Sequence, residues 1–145
     1  MTPEFRPAGA ADLDGILSLY RQLHPADPPV QDARDTFTTI LERPGLQLFV
    51  LADGPAIVAT TYLNVIPNLS RGGAPYAVIE NVVVDEAHRG TGLGKQIMAA
   101  TLQAAWDAGC YKVMLQTGSR RESTHAFYRS CGLDPEEKTA YVAHP

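Results

Sequence analysis

The apolar positions along the chain change their spacing near Gln47. From residue 11 to 23, Leu13, Ile16, Leu17, Tyr20 and Leu23 recur at helical spacing and predict a first helix. His24-Pro25 and Pro28-Pro29 end it, because proline removes backbone donors. Phe37, Ile40 and Leu41 predict a short second helix closed by Pro44-Gly45, and residues 5–7 form a strand candidate ahead of both. Residues 47–52 and 56–65 are β-rich runs on either side of Asp53-Gly54. Both turn positions tolerate positive φ, so a hairpin is expected there.

A polar, glycine-containing loop spans residues 67–75, and residues 76–84, dominated by valine and isoleucine, read as the strongest strand. After a glycine-rich turn, residues 92–108 predict a long helix with Leu93, Ile97, Leu102 and Ala105 toward the core and Gly109 as its stop. Residues 112–117 read as a strand, 123–130 as a short helix ending at Gly132, and 139–142 as a last strand. The expected order is β-α-α-β-β-β-α-β-α-β, an α/β fold with a mixed sheet and helices on its faces.

Composition narrows the class. The 145 residues suit a single domain over 1–145, and 45% hydrophobic with 19% charged residues excludes a disordered tail or a fibre. The longest apolar run is about five residues, 48–52, against the ~20 of a membrane helix. Residues 1–10 lack a basic start followed by an apolar stretch, so no secretory signal is expected. Cys110 and Cys131 suit neither a zinc site nor a redox pair and are expected as thiols in a reducing cytoplasm. His24, His88 and His144 show no metal-ligand spacing, and no metal is expected.

The net charge of −4 argues against general nucleic-acid binding, yet it is unevenly spread. Residues 1–88 carry 5 basic and 11 acidic side chains, whereas 89–129 carry Arg89, Lys95, Lys112, Arg120, Arg121 and Arg129 against Asp107 and Glu122. A local anion site in the second stretch is the simplest use of that asymmetry.

The segment Val82-Val83-Val84-Asp85-Glu86-Ala87-His88-Arg89-Gly90-Thr91-Gly92-Leu93-Gly94-Lys95 brings a strand through three alternate glycines into a helix start. Unpaired N–H groups and the helix dipole favour an anion there, with Arg89 and Lys95 adding charge. A Walker A loop is excluded, because Arg89 stands at its first glycine and Gln96 at its hydroxyl. A dinucleotide fingerprint is excluded too, because Lys95 stands at its third glycine.

Arg89, Gly92 and Gly94 instead spell Arg-x-x-Gly-x-Gly. With Ile79-Glu80-Asn81-Val82-Val83-Val84 before it and Phe127-Tyr128-Arg129-Ser130-Cys131-Gly132-Leu133 after it, the chain resembles the GNAT superfamily of acetyl-CoA-dependent N-acetyltransferases. The resemblance is tight from residue 80 to 132, and the element order from Phe5 agrees with it. It implies the GNAT fold, acetyl-CoA as co-substrate, and direct transfer to an amine in a ternary complex without an acyl-enzyme. Pantetheine would pair with the main chain of Val82, Val83 and Val84. The pyrophosphate would rest on Arg89, Gly90, Thr91, Gly92, Leu93, Gly94 and Lys95.

Tyr128 matches the family's general acid for the departing thiolate and also a coenzyme contact, and Glu80 is the base candidate. Tyr128 would equally suit ring packing, and Glu80 a structural hydrogen bond or an acceptor-pocket wall. Arg120, Arg121 and Arg129 are candidates for the nucleotide's phosphates, or solvated surface charge. Segments 79–84 and 110–115 are similar to the glucosamine phosphate acetyltransferases. Residues 116–121 depart from them, having no acidic residue after the strand, a longer link and Arg121 where many GNATs carry asparagine. The expected acceptor is a small-molecule primary amine. A protein lysine or amino terminus, and a non-catalytic acyl-CoA sensor, stay open as other readings. A cytoplasmic homodimer without nucleic-acid or membrane partners is the expected setting.

Overall fold

Period-2 runs pair side by side to build the sheet. The computed structural model describes residues 2–145, with strands β1 (Glu4–Pro7), β2 (Leu46–Asp53), β3 (Ala56–Ile66), β4 (Tyr76–Val84) and β5 (Val113–Leu115) in sheet order β1-β2-β3-β4-β5. The first four are antiparallel in sequence, and β5 is parallel to β4. A parallel pair needs a crossover, and helix α3 (Leu93–Asp107) supplies it. Helices α1 (Leu13–Leu23) and α2 (Ala33–Glu42) occupy the stretch between β1 and β2.

Alternation along β2 divides the core between two faces. Leu48 and Val50 pack with Leu13, Ile16 and Phe37 of α1 and α2, while Leu51 packs with Val58, Ala59, Leu93 and Ile97 on the α3 face. Gly15 lets α1 lie hard against the sheet, since a Cβ there would stand 2.7 Å from Ile57 Cγ1 of β3. The buried side of α3 is Leu93, Ile97, Met98, Thr101 and Ala105. Leu102, expected in that role, is only half-buried, whereas Thr101 bonds Thr61 of β3 at 2.7 Å.

The chain clusters into two compact units, the first running to Leu115 and the second Gln116–Pro145. The second unit holds α4 (Glu122–Ser130). Both helix-stopping glycines act as expected. Gly109 (φ 84°) and Gly132 (φ 92°) are left-handed, and the following N–H groups of Cys110 and Leu133 return to Ala105 O at 3.1 Å and Tyr128 O at 3.2 Å.

Two expectations need correction. The hairpin turn is Gly54-Pro55, between paired Asp53 and Ala56, and of these only Gly54 (φ 58°) is left-handed. Proline's locked φ excludes a turn with two left-handed residues. The last strand at residues 139–142 does not form. A strand needs a partner for its ladder, and this four-residue run follows a charged, proline-containing turn with Tyr141 93% and Val142 67% exposed.

Candidate active site

Strand β4 changes character halfway along. Its first half is paired on both edges, to β3 through Tyr76–Ile66, Ala77–Val65, Val78–Asn64 and Ile79–Leu63, and to β5 through Ala77–Val113, Val78–Met114 and Ile79–Leu115. Beyond Ile79 no β5 residue pairs with it among the described residues. At that same point Tyr62 faces Glu80 while Thr60 faces Val83, so β4 holds Asn81 and Val82 where β3 holds only Thr61. This is a β-bulge with Asn81 left-handed at φ 53°. A central strand thereby becomes an edge over residues 80–84.

The main chain of that edge has a defined direction. Asp85 N–H donates to Val58 O at 2.8 Å, so strand alternation turns the N–H and C=O of Val84 away from β3. The Arg89 guanidinium reaches Val84 O on that side at 3.2 Å. Val83 is buried and, by the same alternation, turns its main-chain groups to Thr60 of β3, whereas half-buried Val84 presents its own on the open edge; Val82, also half-buried, sits in the bulge.

The turn after β4 is held by its own polar groups. Asp85 bonds His88 Nδ1 at 2.7 Å, and the Thr91 hydroxyl donates to His88 O. Gln22 of α1 donates to Asp85 Oδ1 at 2.8 Å and accepts the Glu86 N–H at 2.9 Å. These contacts, Gln22 first and His88 next, hold the Asp85 carboxyl below the usual carboxylate range. Gly90 (φ 78°) and Gly92 (φ 88°) are left-handed, while a Cβ on either would meet nothing within 4 Å. Glycine is therefore demanded here by backbone conformation, not by crowding within the chain.

Helix α3 begins without a side-chain cap, and its first bond runs from Gln96 N–H to Gly92 O at 3.1 Å. The N–H groups of Leu93, Gly94 and Lys95 precede that bond, at the positive end of a 15-residue helix. Exposed Arg89 and Lys95 flank them. The arrangement suits an extended ligand with an acyl or amide arm along β4 and a polyanion at the helix start.

The Acetyltransferase (GNAT) family profile matches residues 13–133. The chain belongs to that family. This acetyltransferase is 31% identical over 137 residues to "Glucosamine 6-phosphate N-acetyltransferase" of Trypanosoma brucei brucei, covering 93% of this chain and 91% of the relative. It is 25% identical over 150 residues to "Aminoglycoside N(6')-acetyltransferase type 1" of Stenotrophomonas maltophilia, covering 99% and 94%. A solved structure from Agrobacterium tumefaciens, of a protein assigned as an acetyltransferase, superposes with a TM-score of 0.91 at 43% identity, covering 97% of this chain and 99% of that one.

Within the first unit, Glu80, Val82, Val83, Val84 and the 89–95 turn lie on one continuous stretch. Glu80 is exposed and faces Tyr62, on the side of the sheet that carries α1 and α2. Burial pushes the Tyr62 phenol up, with the Arg43 charge opposing. Cys110 is buried, and burial raises its thiol, which keeps it protonated. Among the described residues, no three His, Cys, Asp or Glu side chains group to hold a metal ion, and no helix is long and apolar enough to cross a membrane.

Tyr128 lies in the second unit on α4, its ring edge-to-face with Phe127 at 5.1 Å between centroids. Burial, and then the neighbouring Cys131, push its phenol up, so it stays protonated through neutral pH. Arg129 ion-pairs with Glu122 along the same helix, whereas Arg120 and Arg121 are exposed and His125 is half-buried.

Three residues around β4 escaped the sequence reading of the site. Asn81 carried a usable signal, since asparagine inside a valine-rich strand tolerates a left-handed bulge. Tyr20 read only as a core position of α1, and Gln22 had no signal at all. Tyr20 is half-buried against the α1 core cluster, and burial drives its phenol up to about 12, with the Asn81 side chain opposing.

Proposed function

We propose that the chain transfers acetyl from acetyl-CoA to a primary amine of a small molecule, as one domain over residues 1–145. The observation that carries this reading is the open half of β4 running into an uncapped helix start flanked by Arg89 and Lys95. Of Val82, Val83 and Val84, the first and last would offer main-chain groups to the pantetheine amides while Val83 stays paired with β3, and the 89–95 turn would take the pyrophosphate. The coenzyme supplies a thioester: the amine nitrogen bonds to its carbonyl carbon as the C–S bond breaks and thiolate departs. Tyr128, held protonated, donates its proton to that thiolate. Glu80 takes the proton released by the amine, through water.

Two of the relatives are named for glucosamine 6-phosphate and aminoglycosides, both amines carried on sugars, which supports an amino sugar as the acceptor. The test is acetyl-CoA-dependent thiol release over aminosugars, their phosphates, aminoglycosides, polyamines and lysine peptides. Turnover with the sugar amines, lowered by about 100-fold or more in Tyr128→Phe at nearly unchanged acetyl-CoA affinity, is the expected result. Failure to bind acetyl-CoA, or any acyl-CoA, at millimolar concentration defeats the reading. Equal turnover in Tyr128→Phe removes Tyr128 from the chemistry. A homodimer is the expected assembly, and sedimentation of the full chain measures it.

A further inference from the structure

We propose that the last turn of α1 is a clamp that holds the open half of β4 and the turn after it in coenzyme-binding geometry, with Tyr20 and Gln22 as positioning residues. This rests on the coenzyme reading of β4 given above. The open half has an intrinsic tendency to relax. It is paired on one edge only, and its bulge depends on a left-handed asparagine, a conformation that costs an ordinary residue about 1 kcal/mol. A strand left to itself would slide that extra residue out and change the direction of every group beyond it.

Helix α1 opposes the slide at two points that bracket residues 82–84. At the near end, the Tyr20 phenol meets the Asn81 side chain at the bulge itself. At the far end, the Gln22 amide uses both of its ends, donating to Asp85 Oδ1 at 2.8 Å and accepting from Glu86 N–H at 2.9 Å. Asp85 passes the restraint on, through His88 at 2.7 Å into the turn and through its own N–H to Val58 O at 2.8 Å into β3. The anchor is firm because Gly15 lets α1 approach Ile57 closely and because Leu13, Ile16 and Leu19 are buried. Neither Tyr20 nor Gln22 lies on the strand or turn assigned to the coenzyme, so their effect on it would act through Asn81 and Asp85.

The experiment compares Tyr20→Phe, Gln22→Met and a control, Gln103→Met, in the full chain. Gln103 makes the same kind of bond, amide to the Asp107 carboxylate at 2.8 Å, but on the exposed side of α3. Acetyl-CoA affinity by calorimetry, KM and kcat, and amide hydrogen exchange at residues 81–86 are measured in each. Each clamp variant is expected to weaken acetyl-CoA binding and raise its KM by about fivefold, with a smaller change in kcat, and to speed exchange at 81–86. The control should leave all of these unchanged. Folded clamp variants that match wild type in affinity and in exchange overturn the clamp, even if their melting temperature falls. A wild-type protein that binds no acetyl-CoA breaks the coenzyme reading instead, and the exchange rates then still decide the clamp. Should Tyr20→Phe fail to fold, Gln22→Met carries the test alone.

Discussion

The two halves of β4 share a strand, a sequence character and a neighbour, yet they do different work. Tyr76 to Ile79 lie between β3 and β5 with both edges bonded, and Ala77 and Ile79 are essentially inaccessible to solvent. Glu80 to Val84 have one edge bonded, a bulge at Asn81 and an exposed carboxylate at Glu80. Hydrophobic side chains serve the core in both halves. What separates them is the main chain, which is paired to strands on both edges in the first half and on the β3 edge alone in the second. A binding surface made of backbone is compatible with a run of three valines, because the side chains and the peptide groups answer to different demands.

Substitutions that separate side-chain packing from backbone geometry test this contrast. The largest effect belongs to the closed half. Ile79→Ala leaves a cavity at a position 1% exposed and is expected to cost about 3 kcal/mol in urea unfolding. Acetyl-CoA affinity of the folded protein should barely change. A large affinity loss with little stability loss would erase the distinction between the halves.

Glu80→Gln should do the opposite. The side chain is exposed, so stability should move by no more than about 0.5 kcal/mol. Under the proposed function, kcat should fall by about 10- to 100-fold, with acetyl-CoA affinity intact. An unchanged kcat would leave Glu80 as a wall of the acceptor region and hand the proton to water or to main-chain carbonyls.

Gly92→Ala probes the turn that the open half feeds. The site has room for a methyl group, but φ of 88° disfavours one by about 1 kcal/mol, which predicts roughly fivefold weaker acetyl-CoA binding by titration. A loss many times larger would mean that the ligand itself fills the space in front of Gly92.

The smallest effect is the acid response. Asp85 and Asp12 both have carboxyl pKa values held below the ordinary range, Asp85 by Gln22 and then His88, Asp12 first by the Arg6 guanidinium. A lowered folded-state pKa contributes stability that is fully present above the unfolded value of about 4 and is lost as pH falls through the lower folded value. Stability should therefore decline below about pH 4, and more gently in Asp85→Asn and in Asp12→Asn than in wild type. Parallel acid profiles in all three proteins would show that neither contact carries the pH dependence.

Much of this fold is legible along the chain because its elements are locally consistent. The strand at Tyr76–Val84 and the helix stops at Gly109 and Gly132 follow from β-branched runs and from left-handed glycine, which are properties of a few adjacent residues. The glycines at 90 and 92 likewise mark the left-handed turn that leads into α3. Local signals fail where pairing decides. Residues 139–142 have strand composition but no ladder, and residues 112–117 shorten to the three-residue β5, whose early end is what opens β4. Leu102 has the chemistry of a core residue, and yet the buried stripe of α3 runs through Met98 and Thr101, because the angle at which a helix meets the sheet is set by all of its contacts together.

The sequence alone thus determined most of the elements, the glycine-rich turn before α3 and the family, since each rests on residue types at fixed short spacings. Only the tertiary structure decided that β5 stops at the level of Ile79, that Asn81 turns left-handed there, and that Tyr20 and Gln22 come to lie against residues about sixty positions away. Those outcomes depend on contacts between distant segments, and no local pattern encodes which distant group a side chain will meet.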